Sequence, residues 1–452
     1  MDLFSADFIC IILPLQVLVY YNIPDFLRIY WLIIISVAFI ISYNWTSVCI
    51  AFLVAIIAYT TGNRIANSKG NKRQVWLGCG VLGILILLIV ANLNHKDGYF
   101  NQIHWIGLSY YGLMSISYLI DVSCNKISVI KSFFHLLIYT IFFPQLTAGP
   151  VNEPGKYLSQ FDKTYRLKLS ELWKASKYII YGLFCKLVVA DRLGDIIDTT
   201  INHNKPWSMA ELIISSLSYS IQLYFDFSGY SHLVIGIALL FGIQMKGNFN
   251  SPYLARTTKE FWKRWHISLS DWFRTYLYIP LGGNKNQLVF PLIIFSIFSL
   301  SGLWHGFKWT FVLWGAMHAF HYLLGYYAEK FFKVRSKGLV TVLGVFQWIL
   351  FLLWINLTWI VFRADSLQTL YGLLNVSLGV IGNIKLQFSF YWLIFSFVCL
   401  IIDHSNLSLN IITQSPSNRI LLWKEIAFID FWLIGIFFLA GVGPRQFLYF
   451  NF

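Results

Sequence analysis

The chain has 452 residues, of which 57% are apolar and 12% charged, with a formal net charge of +14 and a mean hydropathy of +0.63. A soluble domain carries about twice that share of charge, which excludes a water-soluble enzyme. The basic excess sits in short loops, as membrane topology demands, and not on a nucleic-acid-binding face.

Taken in chain order, the start (Met1-Asp2-Leu3-Phe4-Ser5-Ala6-Asp7) lacks the basic residues and cleavage site of a removed signal, so the first apolar segment is expected as a retained membrane helix. Residues 29–63 run for 35 positions without a charge, whereas one crossing needs about 20. The interruption Tyr43-Asn44-Trp45-Thr46 predicts two helices joined by a short turn. Further apolar runs cover 75–93, 103–120, 132–146, 178–189, 212–243, 287–303, 309–327, 338–362, 388–402 and 427–442, and Lys186, Asp226 and Asp430 are the charges inside them. The length rule gives roughly 11 to 13 transmembrane helices, plus re-entrant or interfacial ones. The fold class is therefore an all-α polytopic membrane protein. No stretch is long and polar enough for a soluble domain, so residues 1–452 read as a single integral membrane domain.

Basic residues form four clusters: Arg64, Lys69, Lys72 and Arg73; Lys156, Lys163, Arg166, Lys168, Lys174 and Lys177; Arg256, Lys259, Lys263 and Arg264; Lys330, Lys333, Arg335 and Lys337. All four are expected on the cytoplasmic side, and the loop at 92–101 outside. The polar stretch from 148 to 177 predicts a cytoplasmic loop with an amphipathic helix near 167–176. Six scattered cysteines show neither metal-ligand spacing nor a disulfide framework.

Residues 251–286 mix tryptophans and tyrosines with lysines and arginines. Phe261, Trp265, Leu269, Trp272 and Tyr276 recur at helical spacing and predict one apolar face. Such a helix is too charged to cross lipid, so it lies at the interface or re-enters under protein cover, ending at the turn Pro280-Leu281-Gly282-Gly283-Asn284. It delivers His266 from the cytoplasmic side. His305 sits near the far end of the uncharged run 286–307, between Gly302 and Gly306. With Lys285 and Lys330 both cytoplasmic, that run and the next form a hairpin with His305 at its distal bend.

Titratable groups in an apolar chain are costly, and by default they mark function. Each histidine alone also fits a neutral imidazole hydrogen-bonded inside a bundle; the pair, in Trp-rich and Gly-rich surroundings, favours chemistry. A neutral imidazole can take a proton from a hydroxyl attacking a carbonyl, which contributes about 10²–10⁴ in rate. The resulting oxyanion needs donors, and the indole N–H groups of Trp304 and Trp265 are candidates, with simple packing as the alternative for both. His318 either lines the same cavity or is structural. Asp226 is expected to orient a histidine or pair with a buried cation, and Arg363 to anchor at the interface. No nucleophile elbow, Walker loop or dinucleotide fingerprint is present, so direct transfer between two bound substrates is simpler than an acyl-enzyme.

Several ordered stretches resemble one family. They are Phe143-Pro144-Gln145-Leu146-Thr147-Ala148-Gly149-Pro150, Phe225-Asp226-Phe227-Ser228-Gly229-Tyr230-Ser231, Asn250-Ser251-Pro252-Tyr253, and Phe261-Trp262-Lys263-Arg264-Trp265-His266-Ile267-Ser268-Leu269-Ser270-Asp271-Trp272. Gly302-Leu303-Trp304-His305-Gly306, Trp309-Thr310-Phe311, Trp314-Gly315, His318 and the end Phe447-Leu448-Tyr449-Phe450-Asn451-Phe452 follow in order. Together they are similar to the membrane-bound O-acyltransferases, in particular the bacterial branch of alginate and peptidoglycan O-acetylation subunits. The likeness is densest from about 143 to 318. His232 departs from the pattern, standing where related sequences usually carry an acid.

The resemblance implies catalysis by His305 with His266 as a second active-site position. It implies a thioester donor, such as acetyl-CoA, arriving from the cytoplasm and an acceptor reached from the other side, with no bound cofactor and no metal. Trp304, Trp265, Arg264, Asp226 and His318 are the candidate substrate-binding residues, with Arg264 and Lys263 placed either to attract an anionic donor or simply to satisfy the positive-inside rule. The expected reaction is O-acetylation of an extracytoplasmic polysaccharide at the bacterial cytoplasmic membrane, with a separate extracytoplasmic transferase or acceptor protein as partner and no nucleic acid. D-alanyl transfer from a carrier protein to teichoic acid is the neighbouring alternative, and a transporter or flippase the alternative class.

Overall fold

Long apolar runs with few charges fold into helices along the whole of the described chain, and no strand occurs among the described residues. The structure is a computed structural model describing residues 2–97, 105–201, 209–331, 337–372, 384–405, 407–413, 419–441 and 445. Helices α1 (Leu13–Asn22), α2 (Asp25–Ile41), α3 (Trp45–Ala66), α4 (Asn71–Asp97), α5 (Leu108–Ser123), α6 (Phe133–Ile141), α7 (Pro154–Leu158) and α8 (Leu169–Leu183) come first. After α9 (Asp191–Ile201) and the long α10 (Met209–Leu240) come α11 (Thr258–Phe261), α12 (Ile267–Phe273), α13 (Phe290–His305) and α14 (Trp309–Phe331). The chain continues with α15 (Lys337–Arg363), α16 (Leu367–Gly372), α17 (Ile384–His404), α18 (Leu407–Thr413) and α19 (Arg419–Leu439).

Two compact units emerge, one mainly of Met1–Gly182 and Tyr230–Gly247, the other mainly of Leu183–Gly229 and Asn248–Leu448. In the first, the expected turn after α2 is closed by Asn44, whose Oδ1 accepts the Thr46 N–H at 2.9 Å and caps α3. Two of the sequence motifs meet there. The Tyr230 hydroxyl donates to the Pro144 carbonyl at 2.9 Å and also meets the Thr147 hydroxyl. His232 packs between the rings of Tyr178 and Tyr181 at 5.9 and 5.1 Å. The amphipathic helix expected near 167–176 is α8.

The second unit holds the predicted hairpin, α13 followed by α14. Its helices meet backbone to backbone: a Cβ at Gly302 would overlap the Phe311 carbonyl, and one at Gly315 the Phe298 carbonyl. Small residues permit this approach where lipid offers no hydrophobic gain between helices.

Four described helices are each long and apolar enough to cross a membrane: α3, α4 up to Ala91, α10 from Glu211, and α15 from Gly344. The pair α17 and α18, bent by 55°, makes a fifth if taken as one span. Two of the other apolar runs fold shorter than one crossing. Run 132–146 yields the nine-residue α6, and run 287–303 yields α13, whose 16 residues rise about 24 Å. Of the expected outer loop at 92–101, residues 92–97 extend α4, and 98–101 lie outside the described residues, as do Lys333, Arg335 and the terminal 447–452.

Candidate active site

His266 is placed by a break in the helix expected over Phe261–Tyr276. Helix α11 ends at Phe261, the chain turns, and α12 begins only at Ile267, followed by a π-helical turn at Arg274–Tyr278. At the break His266 is left-handed, with φ 43° and ψ 54°, a conformation L-residues other than glycine adopt rarely. Asn248 imposes it. Its carbonyl accepts the Ile267 N–H at 2.9 Å, and its Oδ1 accepts the Ser268 hydroxyl at 2.6 Å and the Ser268 N–H at 3.3 Å. The first donors of α12, orphaned at any helix start, are thus satisfied by a segment 20 residues away. His266 itself makes no capping hydrogen bond. Its ring is 1% exposed and stands edge-on to Phe227 at 4.6 Å, with Trp304 at 6.2 Å. His266 lies outside the candidate crossing helices; burial first, then neighbouring His305, pushes its imidazole well below the ordinary histidine range.

His305 comes from the other element, the last residue of α13 before the hairpin bend. The Trp304 ring lies 4.8 Å from it and Trp314, on α14, stands perpendicular at 5.5 Å. Phe362 closes a third side at 5.2 Å. Beyond Trp314, at 4.9 Å, is His318, whose Nδ1 accepts the Trp262 indole N–H at 3.4 Å. The three predicted histidines therefore belong to one series of rings, alternating His266, Trp304, His305, Trp314, His318. The contacts are through ring faces and edges, and the indoles between the imidazoles can donate a hydrogen bond but not accept one.

Other candidates stand apart from this series. Asp226 is bound to a buried cation, Lys186, at 2.6 Å, and Lys186 also reaches Asp191 at 2.7 Å. That ion cluster fixes α10 beside Phe227, the ring against His266. Trp265 stacks on Phe261 at 5.5 Å and packs against Trp359 at 5.0 Å, inside an aromatic core. Arg264 pairs with Glu260 at 2.8 Å. Arg363 spreads its guanidinium over the Tyr219 ring at 4.8 Å. No group of three His, Cys, Asp or Glu among the described residues is arranged for a metal ion.

Sequence patterning carries no sign of Asn248, because its partners are remote in the chain. It also passed over a buried group on α17. There Asp403 accepts the Tyr224 hydroxyl and lies 3.4 Å from His404 Nδ1, while His404 Nε2 accepts the Tyr253 N–H at 3.3 Å. The apolar run 388–402 stops just short of both residues.

Residues 9–362 match the MBOAT, membrane-bound O-acyltransferase family. The peptidoglycan O-acetyltransferase of Helicobacter pylori is 32% identical over 396 residues, covering 78% of this chain and 74% of that protein. The probable alginate O-acetylase AlgI of Azotobacter vinelandii is also 32% identical, over 391 residues, with 81% and 76% covered. The teichoic acid D-alanyltransferase of Bacillus subtilis is 27% identical over 338 residues, with 69% and 85% covered. All three histidines of the ring series fall within the matched span, and with the apolar helices they complete the identification: this chain belongs to the membrane-bound O-acyltransferase family and is a multi-pass membrane acyltransferase.

Proposed function

We propose that the protein moves an acetyl group from a cytoplasmic thioester, acetyl-CoA, to a hydroxyl of an extracytoplasmic polysaccharide, working in the bacterial cytoplasmic membrane. The observation that carries this reading is the convergence of His305 and His266 on one tryptophan from two different elements. His305 acts as the base. It takes the proton of the acceptor hydroxyl as that oxygen attacks the thioester carbonyl, and returns it to the departing thiolate when the carbon–sulfur bond breaks. Products are the ester and the free thiol. His266, buried and neutral, orients the thioester beside Trp304. His318 extends the pocket wall, Trp265 supports it from behind, and Asp226 holds α10 in place through Lys186. Arg264 and its basic neighbours draw in the anionic donor.

Acetyl is favoured over D-alanyl because relatives named for acetylation reach 33% identity, against 27% for the Bacillus subtilis D-alanyltransferase. A separate extracytoplasmic transferase completes the path to the polymer. In the native host, the test is labelled acetate entering base-labile envelope esters with wild type and His305→Ala, alongside labelled D-alanine. Loss of acetate transfer in His305→Ala with normal protein abundance is expected. Undiminished transfer would remove His305 from the chemistry, and label entering only from D-alanine would replace acetyl by the carrier-borne alternative.

A further inference from the structure

Two N–H groups on α14, the nearer one against His305, are buried without a hydrogen-bond partner among the described residues. Trp314 is 1% exposed and His318 is 0% exposed, yet neither Trp314 Nε1 nor His318 Nε2 is paired. Because the Trp262 indole N–H donates to His318 Nδ1, that nitrogen is the bare one. The proton of the neutral ring then sits on Nε2, so both unpaired atoms are donors. They lie one helical turn apart on α14, positions that share a face, and their rings are 4.9 Å apart. Trp314 at the same time touches the His305 ring at 5.5 Å.

A desolvated donor left unmade destabilises the protein, and two together, the nearer against a base, need a reason. We propose that Trp314 Nε1–H and His318 Nε2–H receive the oxygen of the thioester carbonyl and stabilise its negative charge during transfer. This assignment rests on the reading of His305 as the base. When the acceptor oxygen bonds to the carbonyl carbon, the carbonyl π pair moves to oxygen, and the resulting oxyanion accepts from the two N–H groups. When the carbonyl re-forms, the carbon–sulfur bond breaks and the thiolate leaves with the proton held by His305. Donors already stripped of water and fixed by packing favour the charged intermediate over the ground state. On this reading the oxyanion donors are on α14, whereas the sequence offered the indoles of Trp304 and Trp265 as candidates with simple packing as the alternative.

Trp314→Phe separates this role from packing, because it keeps an aromatic ring and deletes a donor that has no partner to lose. A role in packing alone predicts some loss of stability from the small cavity left among the rings, with transfer falling only as far as protein abundance falls. The proposal predicts a fall of about 10²–10³-fold in the initial rate per folded protein, far beyond any loss of abundance that a lowered melting temperature causes. The readout is label from acetate and from D-alanine entering base-labile envelope esters in the native host, normalised to protein abundance. Wild-type rates in Trp314→Phe would overturn the proposal. His318→Gln retains an N–H near the same place and His318→Leu does not. The glutamine variant is expected to transfer at least tenfold faster, and equal rates would overturn the role of His318 even if Trp314→Phe lowers abundance. Full activity in Trp314→Phe with none in His305→Ala removes this inference alone, whereas full activity in both removes the base as well.

Discussion

At the scale of single residues, what decides the site is where buried polar atoms find partners. Asp226 and Lys186 stand out in the sequence because each interrupts an apolar run, and a buried charge must be paired; the structure joins them at 2.6 Å. Which indole lacks a partner cannot be read that way, since each of the 18 tryptophans carries the same N–H until packing is known. Backbone conformation is equally hidden. At φ 43°, His266 occupies a region that costs an L-residue with a Cβ roughly 1–2 kcal/mol and glycine almost nothing. Replacing His266 by glycine should therefore leave a more stable protein than replacing it by alanine, by about 1 kcal/mol, in the same direction as glycine's ordinary advantage over alanine at a helix N-cap. Unfolding of the two purified variants in detergent gives the comparison. An alanine variant as stable as the glycine variant would mean that Asn248 does not hold the turn left-handed.

Among the elements, the α13–α14 hairpin was legible and the break before α12 was not. Two uncharged runs bounded by Lys285, Lys308 and Lys330 fix the hairpin from composition alone, and His305 falls at its bend as expected. Across Phe261–Tyr276 the apolar spacing runs on without interruption, so periodicity predicts one helix. The break comes from Asn248, whose bonds to Ile267 and Ser268 close over a distance in sequence that no local pattern reports. The hairpin also carries a sharper consequence, because His305 and Trp314 face each other across it. Gly302→Ala would press a methyl group on the Phe311 carbonyl, and overpacking of this kind costs about 1–3 kcal/mol. Gly325, lower on α14, has nothing within 4 Å of its added Cβ, so Gly325→Ala should gain roughly 0.5–1 kcal/mol. Thermal unfolding and acyl transfer measured on both should diverge: the first loses stability and activity, the second keeps activity. Equal behaviour would mean that the backbone approach of α13 to α14 does not set the distance between His305 and Trp314.

For the molecule as a whole, the proposed transfer requires a direction across the membrane, and loop charge predicts one. Helix α3 has 22 residues and rises about 33 Å, enough to span a hydrocarbon core of about 30 Å, so its two ends lie on opposite sides. Uncharged Tyr43 and Asn44 precede it, whereas Arg64, Lys69, Lys72 and Arg73 cluster at its other end, and Arg64 lies over the Trp76 ring of α4 at 5.5 Å. Basic loops tend to stay cytoplasmic, which predicts Tyr43 outside and Asn67 inside. In a variant whose six cysteines are replaced by serine, Tyr43→Cys should react with a membrane-impermeant maleimide added to intact cells. Asn67→Cys should react only after the cells are opened. Both positions are exposed, so silence at Asn67 reports the side and not burial. The reverse pattern would set the basic loops facing the acceptor and leave an anionic cytoplasmic thioester with no basic entrance. A thioester donor would then have to come from the other side, and transfer across the membrane would fall as the reading of this enzyme, even with every histidine in place.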